Sequence, residues 1–144
     1  MNESAQLAHK ITKSSSKQTF FIIKILVDEK LRDDCYRAYA YFRWADDMVD
    51  FVNQSDTKKI NFIERQIFIA DELYAGNRPN KLTLEENMLA DLINNDNGSS
   101  GLLRSYIYNF LGIIKFDAIR QGNLINEEIL KWYACTLGQA VTDV

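Results

Sequence analysis

The residues with the clearest chemical potential lie in one stretch, YAYFRWADDMVD, at positions 39–50. If this stretch is helical, each residue advances about 100° around the axis, so Tyr39, Arg43, Asp46 and Asp50 fall within about 60° of one another. The spacing predicts a narrow line of a phenol, a guanidinium and two carboxylates along one helix face. We refer to these four residues as the polar stripe.

The two carboxylates of the polar stripe need a partner. Asp46 and Asp50 are four positions apart, and like charges at this spacing repel by roughly a few tenths of a kcal/mol even on an exposed helix. Mg²⁺ prefers carboxylate oxygens, keeps several waters and is commonly completed by phosphate oxygens of a substrate. Arg43, one turn away, has planar donors that suit phosphate. The stripe therefore indicates a site for a magnesium-bound phosphate ligand.

A solvated helix face is the alternative interpretation, with Arg43 paired to Asp46 or Asp47 in a surface ion pair of small energetic value. The rest of the helix favours burial, because apolar residues cover more than half of its circumference. They flank the stripe in two groups, namely Ala38, Phe42, Ala45 and Val49, and Tyr41, Trp44, Met48 and Phe51. The pattern thus predicts a helix inside a bundle, with the stripe facing inward.

The elements around the stripe are predicted to be helices as well. One proline, six glycines and no sustained alternation of β-branched residues favour an all-α fold with short loops. Ser16 is a predicted N-cap, Asp28 precedes a helix over about 29–52, and Thr83 with Glu86 has capping-box spacing. Further helices are predicted over about 56–74, ending at Gly76, and over about 102–120.

The last predicted helix begins after Asn126, where two glutamates favour a helix start. It has no C-cap glycine, basic last turn or proline before Val144, which are the usual stop signals. We therefore expect that residues 1–144 are the N-terminal portion of a single longer domain.

The composition and the N-terminal sequence indicate which binding partners and which cellular location to expect. The formal net charge of −3 and the pI near 5.2 give no basic excess for binding DNA or RNA. The N-terminus MNESAQLAHK lacks the basic and apolar regions of a secretory signal, which predicts a cytoplasmic protein. The longest apolar run, FFIIKILV, is far shorter than the roughly 20 residues that span a bilayer, so any membrane contact is expected to be peripheral.

Other reactive residue types give weaker signals. Cys35 and Cys135 are 100 positions apart without a CxxC motif, and we expect both to be reduced core residues. His9 is the only histidine and stands in a polar segment, so zinc and di-iron sites would lack ligands. The sequence contains no GxSxG, P-loop or GxGxxG motif.

The segment SKQTFFIIKILVDEKLRDDCYRAYAYFRWADDMVD resembles the N-terminal signature of the squalene/phytoene synthase family. That family has an aromatic, arginine and DxxxD stretch about 25 residues after an SxSF-like segment, and SKQTF at 16–20 is similar to the latter. Downstream, Gly112 and Asp117 resemble the family's Gly-x-x-x-Asp pattern with one extra residue, and Tyr133 resembles its tyrosine-bearing helix. The resemblance covers roughly residues 8–144.

The resemblance implies an all-α helical bundle of the isoprenoid synthase type that joins two isoprenyl diphosphates, farnesyl or geranylgeranyl, head to head. Asp46 and Asp50 would bind Mg²⁺ or Mn²⁺ that bridges to the diphosphate. Tyr39 and Arg43 would be catalytic together with these two aspartates. The implied substrate-binding residues are Lys17, Gln18, Phe20, Tyr39, Arg43, Asp117 and Tyr133, with the aromatic rings of Phe20 or Tyr39 stabilising an allylic cation.

The sequence also departs from the family. No second DxxxD follows Asp50, and TLG at 136–138 replaces the family's glycine pair. We therefore expect an incomplete bundle that is inactive as these 144 residues alone. Two alternatives remain open: a non-catalytic family member acting in assembly or interaction, and an all-α module that forms a homo-oligomer through an exposed apolar face.

Overall fold

The computed structural model describes residues 2–50, 55–97, 101–120 and 135, and the elements in these ranges are helices without any strand. This confirms the all-α fold class. The predicted helix after Asn126 and the residue Tyr133 lie outside the described residues. The helices are α1 (Glu3–Ser15), α2 (Lys17–Leu26), α3 (Glu29–Asp50), α4 (Asp56–Tyr74), α5 (Leu84–Asn95) and α6 (Leu102–Arg120).

Several helix ends lie where the sequence predicts them. Ser16 caps α2, with its Oγ accepting a hydrogen bond from the Thr19 N–H at 3.1 Å. Thr83 and Glu86 form a complete capping box at the start of α5. Gly76 follows α4 with φ +89°, a left-handed conformation that glycine adopts without the steric cost of a Cβ. Local capping signals therefore fix these boundaries.

Helix α1 is not among the predicted elements. Asn2 caps it, because its Oδ1 accepts a hydrogen bond from the Ala5 N–H at 3.0 Å. The buried side of α1 consists of small or weakly polar residues, Ser4, Ala5, Ala8 and Thr12. The sequence prediction relied on large apolar side chains that recur along one helix face, and the buried side of α1 has none.

The chain divides into two compact units, each with its own buried residues. The first comprises residues 1–47 and 69–96; within it α1 packs against α2 and α5. Its large buried side chains include Tyr36, Tyr41, Phe42, Ile69, Met88 and Leu89. The second unit comprises residues 48–68 and 97–144, and its described buried residues include Val49, Ile63, Ile107, Leu111 and Ile114.

The cysteines do not lie in the fully buried core, contrary to the sequence prediction. Cys35 is half-buried and Cys135 is exposed, and both are free thiols. Partial burial, and then the neighbouring charge of Asp34, raises the pKa of the Cys35 thiol.

Candidate functional site

The polar stripe lies along one unbroken helix, α3, but its members differ in burial. Tyr39 and Asp46 are half-buried, whereas Arg43 and Asp50 are exposed. The prediction that the stripe faces inward is therefore wrong for Arg43 and Asp50. The helix instead buries Tyr41, Phe42, Ala45 and Val49, whereas Met48 is exposed, so the stripe is left partly open to solvent. An open stripe can be reached by a ligand from outside.

Arg43 makes the kind of surface ion pair that the sequence left as an alternative. Its Nε lies 3.3 Å from Oδ1 of Asp47, one turn along α3, and the two side chains are 48% and 57% exposed. Pairs this exposed contribute about 0–1 kcal/mol because water and salt screen them. The guanidinium is thus held only weakly and could exchange this partner for a more highly charged anion.

Buried aromatic residues fix the other side of α3. Tyr41 is fully buried, and its ring lies 5.6 Å from that of Phe42 and 5.9 Å from that of Trp44, centroid to centroid. Burial, and secondarily the negative charge of Glu86, raises the pKa of the Tyr41 phenol far above its ordinary range. Large rings packed in this way restrict rotation of the helix. The direction of the stripe residues in the first unit is therefore set by the core behind them.

The carboxylates of the stripe are oxygen ligands of the kind that binds Mg²⁺. The described residues contain no group of three or more His, Cys, Asp or Glu side chains that could enclose a metal ion. Mg²⁺ is usually held by only one or two carboxylates, with water and phosphate oxygens completing its shell. Asp46 and Asp50 supply two such carboxylates, as the DxxxD pattern predicts.

The predicted substrate-binding residues of α2 differ in exposure. Lys17 and Gln18 are exposed in the first turn of α2. Phe20 is half-buried, stacks on Tyr36 with a centroid distance of 5.1 Å, and has Lys13 Nζ 5.8 Å from its ring centre. Its ring packs among residues of α1, α2 and α3, and its predicted role beside an allylic cation stays a prediction.

Two further residues were predicted to bind substrate, Asp117 and Tyr133. Asp117 is half-buried on α6, which belongs to the second unit. Tyr133 lies outside the described residues. Substrate-binding roles for both stay predictions based on the resemblance.

Arg37 is an important charged residue that sequence reasoning did not single out. Its side chain is only 7% exposed. The guanidinium donates hydrogen bonds to Asp34 Oδ1 at 2.7 Å, to Ser4 Oγ at 3.0 Å and to Asn2 Oδ1 at 2.9 Å. The Ser4 hydroxyl in turn donates to Asp91 on α5. Arg37 therefore joins α1, α3 and α5, and the i, i+3 spacing of Asp34 and Arg37 is the sequence signal that could have revealed part of this network.

His9, which stands in a polar segment of the sequence, contacts an acidic and an aromatic residue of α3. Its Nε2 lies 3.1 Å from Oδ1 of Asp33, and its ring centroid is 4.2 Å from that of Tyr36. Helix α1 brings His9 against Asp33 and Tyr36, which lie 24 and 27 positions later in the sequence. His9 is thus part of the packing between α1 and α3.

Comparisons with known proteins do not assign the chain to a family. A scan against protein-family models finds no match, and searches of curated proteins and of solved structures find no matching relative or structure. The support for a function therefore comes from the polar stripe and from the sequence resemblance.

Proposed function

We propose that this chain is the diphosphate-binding part of a prenyltransferase that condenses two isoprenyl diphosphates, farnesyl or geranylgeranyl, head to head. The single observation that carries the proposal is the polar stripe: two carboxylates, a weakly held guanidinium and a phenol follow one another along a helix whose other side is firmly packed. This combination supports recognition of a phosphate group with a divalent cation. The sequence resemblance to squalene/phytoene synthases supplies the substrate class.

Each residue of the stripe has a distinct proposed role. Asp46 and Asp50 would hold Mg²⁺ or Mn²⁺, which when bound offsets the negative charge that develops on a departing diphosphate. Arg43 would leave Asp47 and donate charge-assisted hydrogen bonds to phosphate oxygens. The Tyr39 hydroxyl would donate a further hydrogen bond, and its ring offers an electron-rich face to an allylic cation. The exposed Lys17 would add a positive charge for the diphosphate.

Binding of one isoprenyl diphosphate is a different property from condensation of two. In the family that the sequence resembles, a second aspartate-rich motif completes the active site, and no second DxxxD follows Asp50 here. Condensation of two substrates therefore requires further carboxylates. The property that we propose for these 144 residues is Mg²⁺-dependent binding of one isoprenyl diphosphate.

Isothermal titration calorimetry with the full chain tests this property. Farnesyl diphosphate should bind in Mg²⁺ and lose its affinity in EDTA, because the two carboxylates repel the diphosphate when no cation lies between them. Farnesol, which has the same prenyl chain without phosphate, is the matched control ligand and should bind weakly in both buffers. Equal affinity for farnesyl diphosphate with Mg²⁺ and with EDTA would contradict the proposal.

A second candidate function is a non-catalytic interaction or assembly protein. The observation that favours it is a group of large apolar side chains exposed on α2, which an enzyme site on α3 does not explain. A chain that shows no Mg²⁺-dependent binding of farnesyl diphosphate but self-associates in a concentration series by size-exclusion chromatography would support this alternative.

A further inference from the structure

Helix α2 has an outward face made of large apolar side chains. Its inward side is formed by the buried Ile23 and the half-buried Phe20. The outward side chains are 47–77% exposed, the last two residues most of all: Phe21 49%, Ile22 47%, Ile25 71% and Leu26 77%. We refer to these four residues as the α2 apolar face. Soluble proteins seldom expose several neighbouring large apolar side chains without a binding role.

The helical geometry places the four side chains together. At about 100° per residue they occupy an arc of about 140°, centred opposite the inward side of the helix. Gln18 is the one polar residue within this arc. Lys17 and Lys24 lie about 20° from each other at one border of the arc. The helix therefore has an apolar surface with a basic edge.

The surrounding charge is entirely positive along the chain. From Ser4 to Val27 the sequence contains no aspartate or glutamate but four lysines, at positions 10, 13, 17 and 24, and all four are exposed. The chain as a whole has a formal net charge of −3, so this segment runs against the overall balance. Acidic residues return only beyond the end of α2, at Asp28 and Glu29, which are also exposed.

We infer that the α2 apolar face docks on an anionic membrane surface, with α2 lying in the plane of the interface. An apolar arc bordered by lysines matches acyl chains beside negatively charged headgroups, and the lysine stems can extend along the apolar zone while the ammonium groups reach the phosphates. Within the described residues no helix is long and apolar enough to cross a membrane. The inference does not depend on the proposed enzymatic function.

A second copy of the chain fits this face less well. Helix α2 has ten residues and is about 15 Å long, whereas stable protein interfaces use roughly 20–30 residues on each side. Two copies meeting through α2 would also bring their lysine borders close together without opposing carboxylates from the same helix. A lipid surface meets the charge requirement, because it supplies many phosphates at once.

Vesicle sedimentation with the full chain tests the inference. Vesicles of phosphatidylcholine alone are compared with vesicles of phosphatidylcholine and phosphatidylserine in equal amounts. We expect the chain to pellet with the anionic vesicles and to stay in solution with the neutral ones. The variant Ile25→Ser/Leu26→Ser should lower partitioning by about tenfold or more, since each side chain loses apolar burial in the interface. Leu84→Ser, which alters an exposed leucine on α5, is the matched control and should partition like the wild type.

Removal of charge provides an independent readout. Lys13→Gln/Lys24→Gln should lower partitioning on anionic vesicles by roughly tenfold or more, because each lysine near such a surface contributes measurably, and added salt should have the same effect. Lys30→Gln/Lys58→Gln is the control for an equal change in net charge. All variants alter exposed side chains, so circular dichroism should show the wild-type helical signal.

Three results would overturn the inference. Equal pelleting with neutral and anionic vesicles would remove the role of the lysines. Wild-type partitioning of Ile25→Ser/Leu26→Ser would place the lipid contact elsewhere. A wild-type dimer that this variant dissociates, without vesicle binding, would assign the face to a second copy. Farnesyl diphosphate binding, measured separately, would be unaffected by any of these results.

Discussion

Two arginines on helix α3, six residues apart, show how differently the same side chain can be used. Arg37 is 7% exposed and bound to residues on two helices and the Asn2 cap, whereas Arg43 is 48% exposed and forms an exposed ion pair with Asp47. The hydrogen-bonding capacity of Arg37 is used within the fold. The guanidinium of Arg43 contacts Asp47 in a pair that is open to water. Its hydrogen-bond donors are therefore available to a ligand.

Loss of Arg37 should have the largest effect of any change considered. Arg37→Met keeps a side chain of similar length but removes one hydrogen-bond donor each from the partly buried Asp34 and from the Asn2 and Ser4 oxygens. Breaking a buried charge pair costs about 3–5 kcal/mol, and the partial exposure of Asp34 together with its contact to Asn95 lowers our expectation to about 2–3 kcal/mol. Urea unfolding measures this difference.

Arg43→Met is the matched variant on the exposed side of the comparison. It should change the free energy of unfolding by less than about 1 kcal/mol, since the lost pair is exposed. Its affinity for farnesyl diphosphate in Mg²⁺ should fall by about tenfold, the loss expected for a charge-assisted hydrogen bond. If both variants unfold at the same urea concentration, the distinction between a structural and a ligand-binding arginine is wrong.

The contrast between buried and open sides of α3 extends to its tyrosines. Burial, and then the charge of Glu86, raises the pKa of Tyr41 above that of the unfolded chain. Tyr41 contributes its full stabilisation of the folded state below about pH 10, the ordinary pKa of a phenol. This stabilisation is lost as the pH rises further, because the unfolded chain then releases the proton and the folded chain does not. The free energy of unfolding should fall by up to about 1.4 kcal/mol per pH unit for this group.

Chemical unfolding at pH 9, 10 and 11 checks this dependence. Tyr41→Phe should make the alkaline fall in stability less steep, while some fall persists because burial also raises the pKa values of Tyr36 and Tyr106. Tyr39→Phe removes a half-buried phenol of the polar stripe from the same helix and serves as the control. A slope that is identical for Tyr41→Phe and the wild type would contradict the assignment of this loss to Tyr41.

The sequence predicts the fold more completely than the site. Capping residues such as Ser16, Thr83 and Gly76 act within a few positions of themselves, so they can be located without knowing the tertiary structure. The inward direction of the stripe was predicted from the apolar circumference of α3, but which side a helix buries depends on its neighbours. The pattern therefore predicted correctly that the four stripe residues lie on one helix, but it was wrong about the burial of Arg43 and Asp50.

Contacts between distant residues explain the other differences. Arg37 binds Asn2 and Ser4, more than 30 positions away, at the start of α1, a helix that was not predicted because its buried side has no large apolar side chain. The pairing of His9 with Asp33 has the same origin. Apolar periodicity describes one helix at a time, so it cannot predict polar contacts between two helices.

The most direct test of the account compares two neighbouring aspartates on α3. Asp46→Asn and Asp47→Asn remove the same charge one position apart, but only Asp46 belongs to the polar stripe, while Asp47 pairs with Arg43. Calorimetric titration with farnesyl diphosphate in Mg²⁺ should show an affinity loss of about tenfold or more for Asp46→Asn, since one of two cation ligands is removed. Asp47→Asn should bind as well as the wild type or slightly better, because it frees Arg43. Equal affinities for both variants would contradict the polar stripe as the diphosphate site.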